Sequence, residues 1–126
     1  MIVADTDVLI DFLQGREPAA ARVARELERG RLVTTVVTRF ELLAGARSER
    51  QRASLQRLLE AVRCLALDPS GADRAAGVRR HLESKGEPIG MADSLIAGIV
   101  LEHGATLLTR NRRHFDRVPD LPLGKL

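Results

Sequence analysis

The sequence predicts an α/β fold, with a mostly parallel sheet covered by helices on both faces. Two observations lead there. Short runs rich in aliphatic or β-branched residues alternate along the chain with stretches whose apolar residues recur at helical spacing, the pattern of βαβ units. The chain has 126 residues, 44% apolar and 29% charged, without an internal repeat, low-complexity segment or linker. That length and balance predict one globular domain over 1–126 with a core of its own, and exclude disorder and collagen-like structure.

Ile2-Val3-Ala4 is the first short strand, and it ends at Asp5. Val8, Leu9, Phe12 and Leu13 then follow a helical period, and Ala20, Val23, Ala24 and Leu27 give a second helical face closed by Gly30. Leu32 to Val37 is rich in β-branched residues and predicts a strand. Thr38-Arg39-Phe40-Glu41 opens a helix that stops near Gly45, and Leu55, Leu58, Leu59 and Val62 mark a longer one. A brief strand follows from Cys64 to Leu67, and Asp68-Pro69-Ser70 starts a helix that runs to Gly86. Ala92, Leu95, Ile96, Ile99 and Val100 form an i, i+3, i+4, i+7, i+8 stripe ending near Gly104. Ala105 to Leu108 is the last strand, before a basic turn and a Pro-rich tail.

Composition excludes several classes. Phe12, Phe40 and Phe115 are the only aromatic residues, which argues against single-strand binders that stack bases on aromatic platforms. The single cysteine, Cys64, cannot form an internal disulfide and is expected as a small buried hydrophobe. No apolar run approaches the roughly 20 residues needed to cross a bilayer, and Met-Ile-Val-Ala-Asp lacks the form of a signal peptide, so a cytoplasmic location is expected. The net charge is +3, and eighteen of the twenty cations are Arg. Forked guanidinium groups suit phosphate, so an anionic polymer is a reasonable partner, although a solvated helix surface explains the same bias.

In open parallel sheets, functional groups gather beyond the carboxyl ends of the strands. Three acids stand just after strands or at helix starts: Asp5, Glu41 after Val36-Val37, and Asp93 in Gly90-Met91-Ala92-Asp93-Ser94. Singly, each has a structural explanation. Asp5-Thr6-Asp7 caps a helix, Thr38 and Glu41 have capping-box spacing, and Asp93 favours a helix dipole. If the fold brings them together, the balance changes. Two unit charges 4 Å apart repel by about 4 kcal/mol at an effective dielectric near 20, so such a cluster needs a cation or a protonated member. Hard oxygen donors without a Cys or His cluster suit Mg²⁺ or Mn²⁺. His81, His103 and His114 are scattered without zinc-ligand spacing, and His114 is expected to pack at the surface beside Phe115. No nucleophile-elbow or phosphate-loop motif is present.

The run Ile2-Val3-Ala4-Asp5-Thr6-Asp7-Val8-Leu9-Ile10 resembles the opening of PIN-domain proteins. Phe40-Glu41-Leu42-Leu43-Ala44-Gly45 resembles their second acidic motif and Ala92-Asp93-Ser94-Leu95-Ile96-Ala97 their third. Leu107-Leu108-Thr109-Arg110-Asn111, followed by His114-Phe115, resembles the fourth. The four come in family order across nearly the whole chain and are most similar to the VapC-type toxin branch. That resemblance implies a three-layer α/β/α sandwich and a metal-dependent endoribonuclease that hydrolyses phosphodiester bonds of tRNA or rRNA. It also implies a homodimer and a small VapB-type antitoxin that blocks the site, with DNA contacted only through that antitoxin.

Carried over by position, the resemblance makes Asp5, Glu41 and Asp93 the acidic metal-site residues, with Mg²⁺ or Mn²⁺ as the cofactor. Asn111 stands where many members have a fourth acid, which puts a second metal in doubt. Thr6 and Thr109 are expected to orient carboxylates or water through their hydroxyls. Asp7 adds charge to the site or favours the helix start, and Asp116 is a solvated loop acid or a substitute for the fourth acid. Arg110, Arg112 and Arg113, with Arg117 beyond them, are the local candidates for RNA phosphates. The early apolar faces, Val8 to Leu13 and Ala20 to Leu27, are candidates for a groove that takes an amphipathic antitoxin helix. Two rivals stay open at this point: a catalytically silent PIN-like module that binds RNA or a partner, and a DNA-directed nuclease or phosphatase using the same carboxylates.

Overall fold

A computed structural model describes the whole chain, Met1–Leu126. The elements run β1 (Ile2–Ala4), α1 (Thr6–Leu13), α2 (Ala19–Glu28), β2 (Leu32–Thr35), α3 (Val36–Gly45), α4 (Glu49–Ala61), β3 (Arg63–Leu65), α5 (Pro69–Ser84), α6 (Met91–His103), β4 (Thr106–Leu108) and α7 (Arg112–Phe115). The sheet order is β3-β2-β1-β4, and every pairing is parallel. The chain therefore builds outward from β1 in one direction through β2 and β3, then crosses back to place β4 on the other side. That reversal makes the carboxyl end of β1 the switch point of the sheet, where a crevice opens. Asp5 is the next residue.

Period-two alternation splits the strand side chains between two cores. Val3, Val33, Leu65 and Leu107 join Val78 and Leu82 of α5 and Ile96, Ile99 and Val100 of α6. Ala4, Leu32 and Leu108 point the other way and join Val8, Leu9, Val23, Leu42, Leu55, Leu58 and Leu59. Helices thus cover both faces, and the architecture is a three-layer α/β/α sandwich. The tail closes one edge: Leu123 bridges Leu107 in parallel, and the Leu107 amide donates to Pro122 O at 2.9 Å.

Three sequence expectations need correction. The β-branched run does not stay extended to Val37, because the Thr35 hydroxyl accepts from the Thr38 amide at 3.1 Å and starts α3 at Val36. Thr38 is consequently the third residue of that helix, and the capping box with Glu41 does not exist. The α6 stripe is not one-sided either. Ser94, Ala97 and Gly98 are buried along with Ile96, Ile99 and Val100, so the helix is sunk in the core. Gly98 shows how closely α5 approaches, since a Cβ there would stand 2.6 Å from Gly71 O and 2.7 Å from Ala75 Cβ. Cys64, finally, is half-buried on the edge strand β3 rather than enclosed.

Candidate functional site

Asp5 ends β1 and caps α1. The Thr6 amide donates to its Oδ1 at 2.8 Å, and the Thr109 hydroxyl donates to its Oδ2 at 2.8 Å. Thr109 follows β4, the neighbour of β1, so sheet register alone brings these two residues together. The Asn111 amide donates in turn to the Thr109 hydroxyl at 2.9 Å, which fixes the turn into α7. From the other side of β1, Glu41 on α3 accepts at Oε1 from the Thr6 hydroxyl at 2.6 Å. Asp93 stands in the first turn of α6, where the helix N-terminus offsets its charge. Its field reaches Asp5.

The electrostatics are those of an anion short of positive charge. Asp5 is only 6% exposed. Burial first, and then the neighbouring charge of Asp7, raise its carboxyl from 3.8 to about 7, with Asp93 adding a smaller push against the hydrogen bonds from Thr109 and Thr6. Asp7 is also raised, mainly by burial, and is partly relieved by Arg110. No protein cation pairs with Asp5 or Glu41. Arg110 is spent on Asp11 at 3.0 Å and stands 4.0 Å from Asp7. The donor set of carboxylates, an amide and hydroxyls fits a hard divalent cation. As oriented, no three Asp, Glu, His or Cys side chains close round a single point, so a bound ion has to draw them inward.

A family model for the PIN domain matches residues 2–121. The chain belongs to the PIN-domain family. Within it, the chain falls in the VapC branch. It is 31% identical to a tRNA(fMet)-specific endonuclease VapC of Shigella flexneri, over 93% of this chain and 91% of the relative. It is 34% identical to Ribonuclease VapC19 of Mycobacterium tuberculosis, over 96% and 97% respectively. Among solved structures, this PIN domain superposes on VapBC-1 of nontypeable Haemophilus influenzae with a TM-score of 0.83 and 30% identity, covering 99% of this chain and 98% of the other. On DNA-bound VapBC of Salmonella typhimurium the TM-score is 0.86 at 26% identity, covering 98% and 96%.

The PIN fold brings Asp5, Thr6, Glu41, Thr109 and Asn111 into one hydrogen-bonded group, with Asp93 alongside. The arginines separate. Arg110 is tied to Asp11 and Arg112 donates to Gly124 O at 2.8 Å, although both line one cavity with Thr109, Lys125 and Leu126. Arg113 is exposed, and Asp116 is an exposed C-cap of α7. Of the early apolar faces, only the outer edge of the first borders a groove. Val8, Leu9 and Val23 are buried in the core and Phe12 and Leu27 pack on it. That groove runs between Ile10 and Leu13 of α1, Glu41 and Leu42 of α3 and Leu55 of α4, so α3 and α4 supply the wall expected from α2. One residue at the site escapes the sequence reading, and another has different partners from those expected. Asp11 is buried, anchors Arg110, and keeps Oδ1 without a partner. His114 does not simply pack beside Phe115, because its Nδ1 reaches Asn111 and Asp93.

Proposed function

We propose that this chain is a metal-dependent endoribonuclease toxin, a single PIN domain over 1–126 held in check by a VapB-type antitoxin. The observation that carries the reading is the buried Asp5 carboxylate at the sheet's switch point, without a cationic partner, linked to Glu41 through Thr6 and within the field of Asp93. The VapC ribonucleases it resembles, over nearly their whole length, support RNA as the substrate. Asp5, Glu41 and Asp93 hold Mg²⁺ or Mn²⁺, with Asn111 supplying an amide oxygen. When bound, such a cation activates water at neutral pH and neutralises charge developing on a phosphodiester. Thr109 and Thr6 keep the Asp5 and Glu41 oxygens aimed into the cleft, so little reorganisation is left for the reaction itself. Arg112 and Arg113, with Arg110 where it leaves Asp11, position the RNA backbone beside the cleft.

The partners follow from the same surface. Glu41 lines both the acidic cleft and the groove between α1, α3 and α4. An antitoxin segment laid in that groove reaches the cleft, and a cationic side chain on it pairs with the site carboxylates in place of the metal. The VapBC structures that superpose on this chain, one of them bound to DNA, support such a partner. A homodimer belongs to the same reading, and Phe40 and Met91, 72% and 67% exposed, are the large apolar side chains left most open to a second copy. No helix is long and apolar enough to cross a membrane. A cytoplasmic place of action fits an RNA substrate.

The test is cleavage of total tRNA and rRNA by the purified protein, first in EDTA and then with Mn²⁺ or Mg²⁺ restored. The reading requires silence in chelator, recovery with either ion, and loss of that recovery in Asp93→Asn. Undiminished cleavage in excess EDTA overturns the metal chemistry, and an inert protein under every condition leaves a silent RNA-binding module as the better account.

A further inference from the structure

His114 lies three residues after Asn111, on the short helix α7. Its Nδ1 stands 2.8 Å from Asn111 Nδ2 and 3.2 Å from Asp93 Oδ2. Three polar groups from two separate parts of the chain thus meet at one point. No placement of a single proton makes both contacts full hydrogen bonds. If Nδ1 accepts from the amide, its lone pair faces a carboxylate oxygen. If Nδ1 donates to the carboxylate, its hydrogen faces the amide hydrogens. Turning the amide over, an orientation that hydrogen-bond fitting alone assigns, leaves two oxygens competing for one N–H.

A cation resolves the conflict. With the amide oxygen turned inward, all three groups present lone pairs: a carboxylate oxygen, an amide oxygen and an imidazole nitrogen. Their separations also suit it, since neighbouring ligands on an octahedron with metal–oxygen bonds of 2.0–2.1 Å stand about 2.9 Å apart. Asn111 is free for this task. It occupies the N-cap position of α7, where Asn ordinarily bonds a helix amide, yet its side chain makes no capping bond. The imidazole is about half exposed, so an ion can reach it from solvent.

We infer that His114 is a metal ligand, donating Nδ1 beside Asp93 and Asn111 to the divalent cation of the cleft. The inference rests on the metal-dependent reading of that cleft and adds a nitrogen donor to an otherwise all-oxygen set. A nitrogen donor favours first-row transition ions over Mg²⁺, so His114 tilts the site toward Mn²⁺.

The test loads the full chain with Mn²⁺ and reads electron spin-echo modulation, which detects a directly bonded nitrogen whether or not RNA is cut. The expected result is a ¹⁴N coupling in the parent, retained in His81→Ala and His103→Ala and lost in His114→Ala. Titration calorimetry on the same proteins gives the second readout. His114→Ala should weaken Mn²⁺ binding by about tenfold or more and Mg²⁺ binding by clearly less. His114→Gln, which keeps a polar side chain on α7, should lose the coupling in the same way and guards against a folding defect in the alanine variant. Mn²⁺ that binds in an Asp93-dependent way without nitrogen coupling, or a coupling that survives in both His114 variants, overturns the assignment and leaves the metal reading of the cleft intact. Failure of the parent to bind Mn²⁺ overturns both.

Discussion

Replacing Asp5 with Asn separates a site built for a cation from a residue that merely caps a helix. In the chelated protein the Asp5 carboxyl is raised from 3.8 to about 7, chiefly by burial and then by the charge of Asp7. Between about pH 4 and 7 the folded protein therefore holds a proton that the unfolded chain has released. Stability must fall as pH rises through that window and level off above it. At about 1.4 kcal/mol per pH unit, the cost of the buried charge at pH 8 is on the order of 4 kcal/mol. The Asp5→Asn change removes the charge and keeps the Thr6 amide contact, but it turns an NH₂ toward the Thr109 hydroxyl, which already accepts from Asn111. Subtracting that loss, we expect Asp5→Asn to be more stable than the parent by about 1–3 kcal/mol at pH 8 in EDTA. Near pH 4 the carboxyl is protonated and only the lost Thr109 contact remains, so the order should reverse, with the variant less stable by about 1–3 kcal/mol. Denaturant unfolding at pH 4, 6 and 8 measures both quantities. A simple cap gives the opposite sign, because losing its charge next to a helix start is unfavourable. An Asp5→Asn variant less stable than the parent at pH 8 in chelator refutes the reasoning.

Other perturbations probe the frame around the site. Glu26 is fully buried on α2, with Arg31 at 2.5 Å. Burial pushes its carboxyl up, but Arg31, Arg22 and Arg29 together outweigh that push and hold it below 4.5. Its contribution is present above about pH 4.5 and lost as pH falls through its lowered pKa, the reverse of Asp5, so the chelated protein should be most stable at mildly acidic pH. Glu26→Ala should cost about 1–3 kcal/mol in denaturant unfolding at pH 7, below the usual figure for a broken buried pair because Arg31 is half exposed. Gly98→Ala forces α5 away from α6, since the contacts at 2.6 and 2.7 Å include backbone, and should cost about 1–3 kcal/mol by the same assay. If Arg112 touches RNA phosphate, Arg112→Ala should flatten the slope of log affinity against log salt by roughly 0.7–0.9. An unchanged slope places the backbone elsewhere.

The sheet could be read from the sequence because its strands are buried on both faces and stand out as short aliphatic runs between helical stretches. What the pattern could not show was where propensity yields to a local bond. Val36 and Val37 look like strand, yet one hydroxyl, that of Thr35, turns them into a helix start. The same limit applies at the site. Asp5 and Thr109 are 104 residues apart and Thr6 and Glu41 are 35 apart, so their contacts exist only through the pairing of β1 with β4 and the packing of α3. Residue types and order indicate which groups belong together, but not which oxygen each hydroxyl holds.

The contacts of Asp11 and His114 escaped for a more specific reason. A search for metal ligands by spacing looks for His with His, or Cys with Cys, and the three histidines of this chain answer no such pattern. Each of the two is instead one helical turn from a recognised residue: Asp11 four after Asp7 on α1, His114 three after Asn111 on α7. Residues three or four apart share a helix face, so both were bound to stand beside the cleft once Asp7 and Asn111 were placed there. The useful spacing was the distance to a site residue of a different chemical type. That rule follows from the site's construction, in which the carboxylates, the amide and the imidazole are supplied by the ends of β1 and β4 and by α3, α6 and α7, so that no single segment carries the whole set.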